Sequence, residues 1–395
     1  MQSFTYCVPT EIEFGRDCWK NVAAHVKKTG AKRVGIVYGS KRIEKQGLLG
    51  QIIQALNKNG IEAMALGGVV ENPRLEHVYE LKEGFSEFEP DLILAVGGGS
   101  VIDTAKALAH ALANPEVDVW NYWLGTEKLE KTMPVGVILT IPAAGSETSD
   151  SAVLTREETH QKRGLNTELN RPAFALMDPV LSSTLSKWQI TNGVTDIMMH
   201  TMERYFTNTE GNELTDALAE ALLRTVIANG QAVVENREDE QAMSEIMWAG
   251  SLSHNNLTGL GRPKDFSVHQ LGHELSAMFD VTHGASLAAT WGSWARKVMP
   301  TDPARFARFA RNVWGAQEED DLKAANEGIK KTEEYFRSLG MPTSLRELKG
   351  LENINDQQLV QLANNCSRNG ARSIGYFCPL DEQGILEVYR MAADR

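Results

Sequence analysis

DLILAVGGGSVIDTAKALAHAL (residues 91–112) reads as a strand, a glycine turn and a helix in immediate succession. DLILAV (91–96) is a near-continuous apolar run, as expected of a parallel strand covered on both faces. Gly97, Gly98 and Gly99 let the backbone come close to a phosphate and leave N–H groups to meet it. The following helix turns its positive end to the same spot. Ser100 adds a hydroxyl donor, and Asp103 and Lys106 lie one turn further on. The spacing is not GxGxxG, and a tight strand–helix turn with no ligand is the competing reading of these glycines.

The units on either side repeat the theme. RVGIVY (33–38) is a short β-branched run, followed by helical spacing in GLLGQIIQALNKNG, which Gly60 stops. IEAMALGG supplies a second strand, ENPRLEHVYELKEGFSEF a turn and a helix, and MPVGVILTIPA a further strand. Repeated βα units predict a doubly wound, mostly parallel, Rossmann-like sheet. After about residue 184 the pattern changes. LMDPVLSSTLSKWQITNGV carries Pro179 and a Ser/Thr cluster, and long helical periodicities follow without β-alternation. A chain of 395 residues exceeds what one core usually supports. The expectation is an α/β dinucleotide-binding domain over 1–184 and an all-α metal-binding and substrate domain over 185–395.

The strand at 33–38 leads into Gly39-Ser40-Lys41-Arg42. In dinucleotide folds an acidic residue at such a strand end holds the ribose hydroxyls of NAD. Here no carboxylate is present and two cations are, which favours NADP(H) over NAD(H) and makes Gly39, Ser40 and Arg42 cofactor candidates. Ordinary surface charge is the competing reading of Lys41 and Arg42.

The second half holds a different constellation. Asp196 and His200 stand four apart in TNGVTDIMMHTMERYF, so they project from one helical face. His269 and His273 form a second such pair, and His283 follows the turn FDVT. Each histidine alone reads as a structural residue. Clustered with a carboxylate, Asp196, His200, His269 and His283 can converge on one divalent cation. The N/O donor set suits Zn²⁺ or Fe²⁺ and disfavours Ca²⁺ or Mg²⁺. A phosphate cradle and a metal site in one chain point to redox chemistry on a small carbonyl or alcohol.

Composition narrows the partners. The net charge is -12 with no dense Lys/Arg run, which excludes nucleic acid as a main partner. No apolar run approaches the ~20 residues that span a bilayer, so no membrane role is expected. The N-terminus MQSFTYCVPTEIEFG lacks a basic, then apolar, leader and reads as a β-strand, which makes a cytoplasmic location the expectation. The four cysteines form no CxxC pair and read as separate, reduced thiols.

GGGSVIDTAK (97–106), LTIPAAGSETS (139–149), LMDPVL (176–181), GVTDIMMHTMERY (193–205) and HQLGHELSAMFDVTHG (269–284), in this order and spacing, resemble the iron-containing (group III) alcohol dehydrogenase family along nearly the whole chain. YGSKR and the NPR turn (72–74) resemble its butanol dehydrogenase and broad-specificity aldehyde reductase branch. The resemblance implies an N-terminal α/β domain and a C-terminal helical domain, with metal and cofactor meeting between them. It implies metal ligands at Asp196, His200, His269 and His283. It places a proton-relay or substrate-positioning histidine at His273, and the pyrophosphate loop at Gly98, Gly99 and Ser100. Further cofactor contacts are implied at Asn72, Thr140, Ser149, Lys162 and Leu181. Two positions depart from the family: Ser40 stands where many NAD-dependent members carry Asp, and Ile141 where many carry Thr. Ser40 agrees with NADP(H).

The expected activity is reversible hydride transfer between NAD(P)H and a small aldehyde or primary alcohol, by a homodimer. SFTYCVP either pairs with a neighbour's copy or caps its own sheet. Competing readings are a dehydroquinate-synthase-like lyase using NAD and a metal, glycerol-dehydrogenase-like polyol oxidation, and a non-catalytic nucleotide-binding protein. The lyase needs several cations for substrate anions, and the segment from Asp196 to His283 offers few.

Overall fold

A computed structural model describes residues 1–39 and 41–394. The chain forms two compact units, Cys7–Leu185 and Ser186–Arg395, and Met1–Tyr6 belong with the second.

The first unit runs β1 (Glu11–Phe14), α1 (Val22–Thr29), β2 (Arg33–Tyr38), α2 (Arg42–Lys45), α3 (Leu48–Lys58), β3 (Glu62–Leu66), α4 (Leu75–Gly84), β4 (Leu92–Gly97), α5 (Gly99–Ala113), α6 (Trp120–Leu124), β5 (Val135–Leu139), β6 (Ser151–Arg156), β7 (Gln161–Asn166) and β8 (Phe174–Met177). Six strands form one parallel sheet in the order β1-β8-β5-β4-β2-β3. Burial follows position. β4, β5 and β8 are buried at every residue, whereas the edge strands β1 and β3 are half-exposed. The apolar runs read from the sequence are thus the central strands, and the parallel α/β expectation holds. β2 and β4 are neighbours, and the chain leaves them in opposite directions, towards β3 and towards β5. Ligands of open α/β sheets bind outside the carboxyl ends of strands at such a switch.

Two local features differ from the sequence reading. The strand expected in the N-terminal MQSFTYCVPTEIEFG starts only at Glu11, after SFTYCVP, and it pairs with β8. Gln2 instead donates its N–H to the Gly261 carbonyl at 2.8 Å. An antiparallel hairpin, β6–β7, follows the sheet's fifth strand.

The second unit is helical: α7 (Lys187–Tyr205), α8 (Glu213–Glu235), α9 (Glu240–His254), α10 (Ser267–Phe279), α11 (His283–Val298), α12 (Pro303–Trp314), α13 (Asp321–Ser338), α14 (Asp356–Ser367) and α15 (Glu382–Ala393). α7 is its axis, since every residue from Ile190 to Tyr205 is buried. Such a helix is apolar all round except where a polar group has a task. A capping box starts it: Gln189 N–H donates to Ser186 Oγ at 3.2 Å, and Ser186 N–H to Gln189 Oε1 at 3.1 Å. At its far end the buried Asp216 carboxylate of α8 pairs with Arg262 and Arg305, and the Arg305 guanidinium lies 3.9 Å from the Tyr205 ring centre.

Candidate active site

α7 carries Asp196 and His200 one turn apart, facing the openings of two other helices. His269 sits in the first turn of α10, and His283 is the first residue of α11. A Cβ on Gly284 would fall 2.8 Å from Asn192 Cα, so only glycine lets α11 begin this close to α7. Asn192 Oδ1 then accepts the Ala285 N–H at 2.8 Å and fixes that approach.

The result is a ring of donors around Asp196 Oδ1. His200 Nδ1 stands 3.2 Å from it, and His269 Nε2 and His283 Nε2 each 3.6 Å. Asp196, His200 and His269 are 4%, 3% and 5% exposed, so their polar atoms cannot turn to bulk water. Asp196 Oδ1, His200 Nδ1 and His269 Nε2 nevertheless have no hydrogen-bond partner. A buried polar atom left so costs about 1–3 kcal/mol. One ligand atom from each of these three residues fits within 4.8 Å of the others, the arrangement a single cation would satisfy. The chemistry of the set agrees. Burial, with neighbouring imidazoles from His254 and His269, holds His200 neutral, well below the usual histidine range. Burial also opposes charge on His269, but the Glu203 and Asp196 carboxylates outweigh it and lift that imidazole to about 9. A metal would have to displace a proton there.

His273, one turn beyond His269 on α10, stays outside this trio. Its ring lies 5.6 Å from His283 and stands perpendicular to His269 at 6.3 Å. Two residues escaped the sequence reading. The His254 ring, at the end of α9, stacks on His200 at 3.9 Å. The fully buried Glu203 carboxylate touches His269 Nδ1. For Glu203 a signal was present: it continues the Asp196–His200 face of α7 at i+7. Phe266 reaches the imidazoles, 5.1 Å from His269, while Trp120, Tyr122, Trp123 and Trp291 are buried core residues.

In the first unit the glycine turn lies where the sequence puts it. Gly98 precedes α5, and no side chain caps the helix, whose opening N–H groups at Gly99 and Ser100 sit at its positive end. A Cβ on Gly98 would meet Ile141 at 2.7 Å, so close packing by itself requires glycine there. Thr140 N–H donates to the Gly97 carbonyl at 3.0 Å, which holds the ends of β4 and β5 together. Asp103 faces inward: Ser146 Oγ and Val153 N–H donate to it at 2.5 and 2.9 Å. Lys106, also buried, donates to the Ser146 and Ser151 carbonyls at 2.7 and 2.8 Å. These two side chains brace the 146–153 segment that contains Ser149. Lys162 donates to Asn72 Oδ1 at 2.8 Å, both buried, so those two candidates form a pair. Gly39 follows β2 at the switch, Leu181 is half-buried beyond β8, and Arg42 donates to Thr184 Oγ1 at 2.6 Å. Ser40 lies outside the described residues.

Comparison with known proteins gives the family. The family profile described as iron-containing alcohol dehydrogenase matches residues 9–179, and the C-terminal profile of the Fe-containing alcohol dehydrogenase family matches residues 190–393. The chain belongs to the iron-containing alcohol dehydrogenase family. It is 38% identical over 392 residues to NADH-dependent butanol dehydrogenase A of Clostridium acetobutylicum, covering 99% of each chain. It is 33% identical over 375 residues to the NADPH-dependent aldehyde reductase YqhD of Escherichia coli, covering 92% of this chain and 96% of that one. The crystal structure of NADH-dependent butanol dehydrogenase A from Thermotoga maritima superposes with a TM-score of 0.94 at 31% identity, covering 100% of this chain and 99% of that one. Within the family the chain stands with the butanol dehydrogenase and aldehyde reductase branch. It is an NAD(P)-dependent oxidoreductase that interconverts alcohols and aldehydes, and the lyase and polyol readings are not favoured. Among the described residues no helix is long and apolar enough to cross a membrane.

Proposed function

We propose that the chain reduces small aldehydes reversibly to primary alcohols, with NADPH as the preferred donor and one Fe²⁺ or Zn²⁺ held by Asp196, His200, His269 and His283. The observation that carries this reading is the trio of buried polar atoms turned on one another without a hydrogen bond. Bound there, the cation supplies a Lewis acid that polarises a carbonyl or steadies an alkoxide. The protein's own part is placement. Residues 1–184 hold the cofactor, with Gly98, Gly99 and Ser100 at the pyrophosphate and Asn72, Thr140, Ser149, Lys162 and Leu181 around it. Residues 185–395 hold the metal and the substrate. His273 is half-buried beside His283, a position suited to passing a proton, and an imidazole titrates near working pH. Preference for NADPH is supported by Lys41 and Arg42 after β2, where the stretch 39–42 has no carboxylate to hold a free ribose. The relatives include NADH- and NADPH-dependent enzymes alike, so the assignment rests on these residues.

His200→Ala and His269→Ala should each abolish stoichiometric metal binding and lower butanal reduction more than about a hundredfold. Retention of both metal and rate in either variant would overturn the ligand set. Initial rates with butanal and NADPH against NADH, on iron-loaded, zinc-loaded and metal-free protein, test the cofactor and the metal. A faster reaction with NADH sinks the NADPH assignment. We propose further a cytoplasmic homodimer. Phe4 and Tyr6 are exposed in the N-terminal segment, and among the described residues no disulfide joins the four cysteines. Sedimentation velocity and cell fractionation check these two points.

A further inference from the structure

Glu203 is fully buried in α7, three residues after His200. Its carboxylate receives three donors from one place, the start of α10. Oε1 accepts the N–H groups of Val268 and His269 at 2.6 and 3.2 Å, and Oε2 touches His269 Nδ1. The N-cap residue of α10, Phe266, has no side chain that can accept, and Asp265 Oδ1 accepts only the Ser267 N–H, at 3.0 Å. Glu203 therefore serves as a cap of that helix from another helix, its carboxylate oxygens accepting N–H groups of the first turn at the positive helix end.

The same contact sets the chemistry of His269. A carboxylate accepts and cannot donate, so the proton of the neutral imidazole belongs on Nδ1. The lone pair is then on Nε2, the atom that points to Asp196 Oδ1 at 3.6 Å. We infer that Glu203 is a positioning residue for the metal centre: it fixes the His269 tautomer and ring plane so that, in the neutral ring, Nε2 carries the free lone pair. Asp196, His200 and Glu203 thus form one stripe of α7, two residues facing the metal and the third orienting a ligand from α10. The inference rests on the metal reading above. A ligand imidazole that gives its other N–H to a carboxylate is more basic and better oriented, and loss of such a partner typically costs 10–100-fold in metal affinity.

Glu203→Gln is the sharpest probe. Its amide oxygen can still accept the two backbone N–H groups, but its NH₂ then faces His269 Nδ1. That nitrogen must become the acceptor, and the proton moves to Nε2, the atom meant for the cation. Zinc affinity, measured by competition with a chelator, should fall about 10–100-fold in Glu203→Gln and recover in part in Glu203→Asp, which keeps the charge. A purely capping role would lower the melting point of the metal-free protein while leaving zinc affinity of the folded fraction unchanged, and that result overturns the inference. His200→Ala is the control: if it binds zinc as wild type does, the metal reading itself fails, and this inference with it. Should Glu203→Gln not fold, ¹⁵N NMR of imidazole-labelled, zinc-loaded wild type decides. A proton on His269 Nδ1 bears the inference out, and a proton on Nε2 overturns it.

Discussion

His110, at the end of α5, is a buried imidazole outside the metal centre. Asn170 Oδ1 lies 2.8 Å from its Nε2 and Thr132 Oγ1 2.7 Å from its Nδ1, so the neutral ring is satisfied on both sides. Burial pushes its pKa down to about 4. In the unfolded chain the same ring takes a proton near ~6.5. Between those values the unfolded state binds more protons, so stability is lost as pH falls from about 6.5 towards 4. Urea titrations should show wild type losing about 1.5 kcal/mol more than His110→Gln between pH 6.5 and 5, at no more than about 1.36 kcal/mol per unit. Equal losses would mean the ring charges freely in the folded protein. His110 also shows what the sequence hides. In DTAKALAHAL it is one more polar residue on an apolar helix, and its partners lie 22 and 60 residues away. Asp196 and His200 were legible because their relation is local, a single helical turn. Glu203 lay on the same face, but its meaning depends on where α10 begins, and no spacing encodes that. His254 was invisible for the same reason.

At the scale of elements, local chemistry sets where α7 starts and therefore where its polar stripe points. Ser186 with Gln189 is the device. Ser186→Ala should destabilise the second unit by about 1 kcal/mol, and Ser186→Gly by only a few tenths. Thermal unfolding measures the difference, and hydrogen exchange at residues 187–190 should quicken in the alanine variant. An unchanged melting point in Ser186→Ala would show the cap to be idle. The strongly patterned elements were readable in advance: β2, β4 and β5 as apolar runs, and α8, α9, α12 and α13 as long periodic stretches. The β6–β7 hairpin was not, because QKRGLN is polar and has a glycine in its middle, so nothing in it alternates. β1 was placed too early, since an edge strand needs a partner to define it, and that partner, β8, is far along the chain.

For the whole molecule, the expected division of labour can be read by hydrogen exchange. A ligand that binds only the folded form stabilises it by about 2.7 kcal/mol at ~100 times its Kd. Zinc added to metal-free protein should protect amides of α7, α10 and α11, and NADPH those of residues 97–106. Protection of 97–106 by zinc alone would contradict the assignment of the two sites. The α/β and all-α classes were legible because sheet and bundle have different hydrophobic periods. The pairing of first strand with last was not, because nothing in EIEF names its neighbour. That pairing has a temporal cost. Glu11 sits opposite Phe174, so the nascent edge has no mate until the ribosome has delivered most of the unit. At ~5–20 residues per second of translation, that wait is roughly ten to thirty seconds. During it the main-chain N–H and C=O groups of residues 11–14 stay unpaired and open to solvent.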